Sequence, residues 1–396
     1  MADQLRKAVR FSPVVVLTGA RQTGKSTLLR EETPFKDWQY LNLDDLDLLS
    51  LAEKRPEELL ALSNRLIVDE VQRSPNFLLA VKQAVDRDRT RRVVLSGSAN
   101  LLLMKSVSET LAGRAVYFDL FPFSLGEEKE KAFTDWISRL PGPAFPKSLG
   151  PVEPVPEFSL FRGFLPPVTF LADEDEVAAW WQGYIRTYLE RDLRDLSQIS
   201  SLPDFRRLMG LLALRNGQIL KQSELARDAG LSQPTTGRYI NLLEISGLLV
   251  KLMPYSRNIS KRIIKSPKAY WIDPGLVCAL AGYRKIQGVA PSFKGPWFES
   301  LIFLNLLILA RTVGGELFYF RTQGGKEREV DFILETANRV IAVEVKYADK
   351  IGMRDAENLR FLRDLLPNWG AGLIIYNGPE VKTLGENIHA VPWGMI

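Results

Sequence analysis

"SPVVVLTGARQTGKSTLLREE", residues 12–32, decides the fold. Val14 to Thr18 form a short run of β-branched and apolar residues, the pattern of a strand buried on both faces. From Lys25 the pattern turns helical, and between the two lies Gly19-Ala20-Arg21-Gln22-Thr23-Gly24-Lys25-Ser26. This string fits G-x-x-x-x-G-K-[ST]. Its glycines let main-chain N–H groups close around phosphate oxygens, and the following helix turns its positive end toward them. Lys25 is expected to reach the β- and γ-phosphates of ATP and Ser26 to offer its hydroxyl to Mg²⁺. Gly19, Arg21, Gln22, Thr23, Gly24 and Thr27 are expected to complete the cradle.

Working outward, "WQYLNLDD" (38–45), "RLIVDE" (65–70), "RRVVLSGSAN" (91–100) and "AVYFDLFPFSL" (115–125) read as further strands. Helical stretches such as "NFLLAVKQAVDRD" separate them, which argues for a parallel sheet with helices on both faces. Asp69 and Glu70 close one of these strands. Asp69 is expected to position Mg²⁺ through its water shell, and Glu70 to orient or deprotonate the attacking water. After "VVL", either Ser98 or Asn100 would sense the γ-phosphate, or the segment is a plain turn. Arg114 is a candidate for neutralising transition-state charge, within the chain or across a subunit boundary, with a surface salt bridge as the alternative.

At 396 residues the chain needs more than one core. Its net charge of +5, from 52 basic against 47 acidic residues, favours an anionic partner only mildly. Cys278 is the single cysteine and His389 the single histidine. A disulfide within the chain, a Cys/His zinc site and a histidine triad are therefore excluded, and any metal must be oxygen-bound, Mg²⁺ or Mn²⁺. The most apolar run, "LIFLNLLILA" at 301–310, lies between Glu299 and Arg311 and by itself is too short to span a bilayer. The expectation is a cytoplasmic chain with no membrane partner.

Six prolines between 141 and 157 mark a linker after a first domain, 1–140. A helical segment (158–200) and a helix–turn–helix domain (201–285) follow. In "KQSELARDAGLSQPTTGRYINLLEISGLL" (221–249), Ser223 is expected to cap a short helix and Gly230 to make the turn. Ser232 is expected to cap the second helix, with Pro234 in its first turn. Ile240, Leu243 and Leu249 would point inward, and Thr235, Thr236 and Arg238 toward a major groove. The run 251–268 carries six Lys/Arg and no acid, as the wing of a winged helix would. Lys261, Arg262, Lys265 and Lys268 are expected to meet phosphates, DNA ahead of RNA. A protein-docking winged helix is the other reading.

The last domain, 286–396, reads helix, strand, strand, strand, helix. In "EVDFILETANRVIAVEVK" (329–346), Asp331 lies on one strand and Glu344-Val345-Lys346 on the next. In a restriction-like nuclease Asp331 and Glu344 would hold a metal, Lys346 would stabilise charge on the phosphorane, and Glu299 would assist. A solvated charged face, or one that grips nucleic acid without cutting it, has the same pattern.

"LTGARQTGKSTL", "DEVQRSP", "GSAN" and "GRAV…LFPFSLGE" together resemble prokaryotic AAA-type ATPases, and "YIRTYLERDLRDLSQI" and "EVDFIL…AVEVK" are similar to the uncharacterised C-terminal region of that family. The resemblance implies a P-loop fold, ATP and Mg²⁺ at Gly24, Lys25, Ser26, Asp69 and Glu70, and a restriction-endonuclease-like C-terminal domain. A second sensor arginine would be Arg186, Arg191 or Arg194. The expected architecture is α/β: a P-loop parallel sheet domain, then a helical and winged-helix domain, then a restriction-endonuclease-like domain. The expected assembly is a homo-oligomer.

Overall fold

The computed structural model describes residues 1–97, 110–130, 136–140, 153–187, 199, 201–256, 266–322, 327–337 and 339–396. It divides into one unit of residues 1–121 with 241–248, and another of 122–240 with 249–396.

The first unit is built on five parallel strands: β1 (Val14–Thr18), β2 (Gln39–Asn42), β3 (Arg65–Asp69), β4 (Arg92–Ser96) and β5 (Ala115–Asp119). Their order is β2-β3-β4-β1-β5. Alternation along β1 sends Val14 and Val16 into one apolar cluster and Val15 and Leu17 into another, so both faces of the sheet are covered. Helix Phe77–Arg87 supplies Phe77, Leu78 and Val81 to the first cluster, and helix Ala2–Phe11 supplies Leu5, Ala8 and Val9 to the second. Each fully buried valine or leucine here contributes about 1.5–3 kcal/mol. Because every strand runs the same way, the loops after β1 and β3 emerge at one end of the sheet, with β4 between them.

The helices Leu202–Leu214 and Gln222–Ala229 of the second unit, and helix Gln233–Ile245, whose residues from 241 on belong to the first, precede a two-stranded ribbon in the second unit, β6 (Leu249–Leu252) and β7 (Lys268–Trp271). Gly230, in the left-handed region at φ 66°, ends the second of these helices as expected. Ser232 accepts the Thr235 N–H at 3.2 Å and caps the next. Ser223 is not a cap, because the helix already starts at Gln222. The ribbon is joined to both of its neighbours. Ile219 bridges to Lys268, and beyond β6 the Tyr255 N–H donates to Tyr319 O at 2.6 Å.

Tyr319 lies on β8 (Glu316–Arg321), the edge of a six-stranded mixed sheet ordered β12-β13-β11-β10-β9-β8. Its other strands are β9 (Glu329–Glu335), β10 (Val340–Lys346), β11 (Trp369–Tyr376), β12 (Lys382–Gly385) and β13 (Ile388–Pro392). Helix Glu357–Leu365 makes the crossover from β10 to the parallel β11. The apolar run at 301–310 is part of a longer helix, Pro291–Val313, whose 23 residues suffice in length and composition to cross a membrane. Most of its apolar window is buried instead, against β8, β9 and β10 and the helices Glu157–Arg162 and Pro274–Leu280.

Candidate active site

The loop between β1 and helix Lys25–Glu31 is shaped by its glycines. A Cβ on Gly19, at φ 150°, would come within 2.3 Å of the Leu120 carbonyl oxygen, and Gly24 enters the helix at φ 90°. Gln22 also has positive φ, 67°. Thr23 is buried and donates to Ala20 O at 2.9 Å, while Arg21, Gln22 and Thr27 are exposed. Lys25 is only 7% exposed and curls back, its Nζ donating to Gly19 O (3.0 Å) and Ala20 O (2.8 Å). Burial pushes its pKa down to about 8, against the pull of Glu70 and Asp69. A buried ammonium hydrogen-bonded to carbonyls alone lacks a counter-charge at contact distance, and a triphosphate in the loop would supply it.

Asp69 closes β3 beside the loop. One of its carboxylate oxygens accepts from Ser26 Oγ (2.6 Å) and from the Tyr40 hydroxyl, and the other accepts the Glu70 N–H at 3.0 Å. Tyr40 comes from β2, with the Arg30 guanidinium 4.4 Å above its ring. Burial, then the hydrogen bond to Asp69, raises the Tyr40 pKa to about 12, so it stays a donor. Ser26 and Asp69 thus bring hard oxygens together, a donor set suited to Mg²⁺. When bound, that ion neutralises charge on the phosphates. Glu70 stands next to them at φ 54°, held by the Gln72 side-chain amide. Burial raises its pKa although the Gln72 hydrogen bond works the other way, which makes Glu70 a stronger base toward a water proton.

The sequence gives no sign of Tyr40 and Gln72, because only the β2–β3 register, Asn42 opposite Asp69, makes Tyr40 a neighbour. Arg114 corrects an expectation. It precedes β5, whose far end, Asp119, pairs with Thr18 beside the loop. At about 3.3 Å per residue, Arg114 is a strand's length from its own phosphate loop. It is held there by Asp86, at 2.6 and 2.9 Å. Within the chain it is a salt bridge. Ser98 and Asn100 fall outside the described residues, as do Arg191 and Arg194; Arg186 is described and exposed.

A family model described as an AAA domain matches residues 11–128. Two models described as domains of unknown function, DUF8612 and DUF4143, match 157–287 and 294–396. The uncharacterized protein Rv2008c of Mycobacterium tuberculosis is 30% identical over 400 residues, 99% of this chain and 82% of that protein. The chain belongs to the prokaryotic AAA-type P-loop ATPases. An uncharacterized protein of Methanocaldococcus jannaschii is 25% identical to this ATPase over 401 residues, covering 96% of the chain and 86% of its own length. Among solved structures, a Walker-type ATPase of Pyrococcus abyssi is similar at 15% identity and a TM-score of 0.44, covering 71% of this chain and 94% of that one.

The second charged cluster of this ATPase lies on its C-terminal sheet. Antiparallel β9 and β10 bring Asp331 and Glu344 together, and Asp331 Oδ2 accepts the Val345 N–H at 2.8 Å. Glu344 is 3% exposed, 3.3 Å from Lys346 Nζ and 3.4 Å from Asn358 Nδ2. Burial, then the charge of Asp331, raises its pKa to about 8. Glu299, from helix Pro291–Val313, is raised to about 7 by the same two causes in the same order. Glu344 and Glu299 are therefore mostly covered, against the alternative of a solvated charged face.

Lys268 corrects a second expectation. Rather than reaching outward from a wing, it is 3% exposed, with Nζ 2.6 Å from Glu329, 3.9 Å from Asp331 and 4.0 Å from Glu299. Divalent metals need carboxylate oxygens at roughly 2.0–2.6 Å. Here those oxygens surround an ammonium, and among the described residues no group of three or more acidic, histidine or cysteine side chains is arranged to hold a metal ion. In this arrangement Asp331, Glu344 and Glu299 do not fit the expected ion.

In the helix–turn–helix, Arg238 is exposed and Thr235 half-exposed. Thr236 is fully buried and donates to Ser232 O at 3.0 Å, so it faces the core and not a groove. Ile240, Leu243 and Leu249 are buried as expected. Lys261, Arg262 and Lys265 lie outside the described residues.

Proposed function

We propose that this ATPase, working in the cytoplasm as a homo-oligomer with Mg²⁺, couples its nucleotide state to engagement of nucleic acid, DNA ahead of RNA. In this reading the C-terminal domain grips a strand and does not cut it. The observation that carries the ATP half is the buried Lys25 ammonium, bonded to two carbonyls beside the converging Ser26 and Asp69. The nucleic-acid half is supported by the exposed Arg238 on the second helix of the helix–turn–helix and by the net charge of +5. Self-association supplies a cation that Arg114, paired with Asp86 in its own chain, does not.

Two other readings have observations of their own. Asp331, Glu344 and Lys346 stand together as an ATP-controlled nuclease would need. The burial of Thr236 and Lys268 favours a winged helix that docks on protein. ATP turnover, measured with single- and double-stranded DNA and RNA at two salt concentrations, tests all three. Lys25→Ala should lower turnover by roughly 100-fold, and DNA should stimulate the wild type less as salt rises. Metal-dependent nicking abolished by Asp331→Ala would replace gripping with cutting. Turnover and binding indifferent to every nucleic acid would favour the docking reading.

A further inference from the structure

The buried cluster around Lys268 joins two parts of the second unit. The lysine opens β7 of the ribbon, while its partners come from β9 (Glu329 and Asp331) and from helix Pro291–Val313 (Glu299). Its Nζ also lies 5.6 Å from the centre of the Tyr319 ring on β8. Two residues along β7, the Tyr270 hydroxyl donates to Glu299 at 2.5 Å, and its ring stacks on Phe303 at 4.2 Å. Burial alone would discharge Lys268, yet Glu299, Asp331 and Glu329 together hold its pKa above the ordinary lysine value. Lys268 on the ribbon and Glu329 on β9 both line a cavity of about 460 Å³, with Arg215, Lys221 and Arg321 also on its walls.

Removing an ammonium from among three carboxylates leaves uncompensated buried negative charge, which is far costlier than the same change at a surface. Adding a divalent cation beside the ammonium would instead force like charges together. The two cations therefore exclude each other.

We propose that Lys268 is the resident counter-ion of this carboxylate nest: its ammonium takes the place of a divalent cation and locks the ribbon to the C-terminal sheet. The nest accepts a metal only when β7 gives up that position. This extends beyond the coupling proposed above and does not depend on it, because no residue of the lock belongs to the phosphate loop.

The test is Mn²⁺ binding to the full chain without nucleotide, followed by electron paramagnetic resonance. The wild type should bind no Mn²⁺ that Asp331→Asn removes, at Mn²⁺ up to about 1 mM. Lys268→Met should gain one site per chain, at least about tenfold tighter than any in the wild type, and lose it again when Asp331→Asn is added. A wild-type Mn²⁺ site abolished by Asp331→Asn, or no gain in folded Lys268→Met, overturns the proposal. Lysine labelling read by mass spectrometry decides the matter even if Lys268→Met does not fold. Lys268 should react at least about tenfold more slowly than exposed Lys54 in the wild type, and faster in Glu329→Gln. Equal rates for Lys268 and Lys54 in the wild type would mean that no lock exists.

Discussion

Among the described residues two lysines are buried, and their neighbours set them apart. Lys25 is hydrogen-bonded to carbonyl oxygens, so burial wins and its pKa falls to about 8. Lys268 has three carboxylates, so attraction wins and its pKa rises. The difference follows from Coulomb's law at low dielectric, where a full negative charge offsets desolvation and a carbonyl dipole does not. One consequence is measurable. With its pKa lowered to about 8 by burial, Lys25 readily loses its proton in this pH range, whereas triphosphate oxygens favour the ammonium. Nucleotide binding at pH 8 should therefore take up protons, and affinity should weaken as pH rises through that value. Calorimetry in buffers of different ionisation enthalpy should show this uptake in the wild type and not in Lys25→Met. Equal heats in all buffers for the wild type would contradict the picture of a buried, uncompensated ammonium.

At the scale of elements, the start of helix Pro274–Leu280 shows how one carboxylate organises a corner. Asp273 accepts from the N–H groups of Gly275 (2.7 Å) and Leu276 (3.4 Å) in its own helix, and from Phe164 (2.8 Å) after helix Glu157–Arg162. The approach is close: a Cβ on Gly163 would lie 2.3 Å from Asp273 Oδ1, and one on Gly275 would lie 2.7 Å from Arg162 O. Burial raises the Asp273 pKa to about 6, although these N–H groups and that of Leu165 oppose it. A carboxyl with a raised folded-state pKa stabilises the fold below its unfolded value, near 3.8, and this contribution is lost as pH rises to about 6. The linked change is on the order of 3 kcal/mol. Asp273→Asn should be less stable at every pH, since one acceptor becomes a donor, but its deficit should shrink as pH goes from 4.5 to 7. Urea unfolding across that range measures the difference, and parallel curves would refute the assignment.

For the whole molecule, the separate cores of the two units imply separate responses to ligand. Anything that binds only the folded first unit stabilises it by mass action, about 2.7 kcal/mol at a hundred times the Kd. Mg²⁺ with a non-hydrolysable ATP analogue should raise one thermal transition and leave the other in place, and Lys25→Ala should abolish the rise. Equal shifts of both transitions would show that the units unfold as one.

The sequence by itself determined the first unit and its phosphate loop, because strand alternation, glycine conformation and the Lys-Ser pair are local properties. It also determined the helix–strand–strand–strand–helix start of the C-terminal domain, though not the strands β11 to β13 that complete its sheet, and the turn at Gly230. Tertiary structure decided what depends on residues far apart in the chain. Strand direction put Arg114 at the wrong end of the sheet for its own loop, and the β2–β3 register gave Asp69 its tyrosine. The packing of β7 beside β9 and helix Pro291–Val313 made Lys268, expected at the surface, a buried charge. A lysine before an apolar strand reads the same in sequence whether its ammonium meets water or three carboxylates. Only the packing that removes the water distinguishes them.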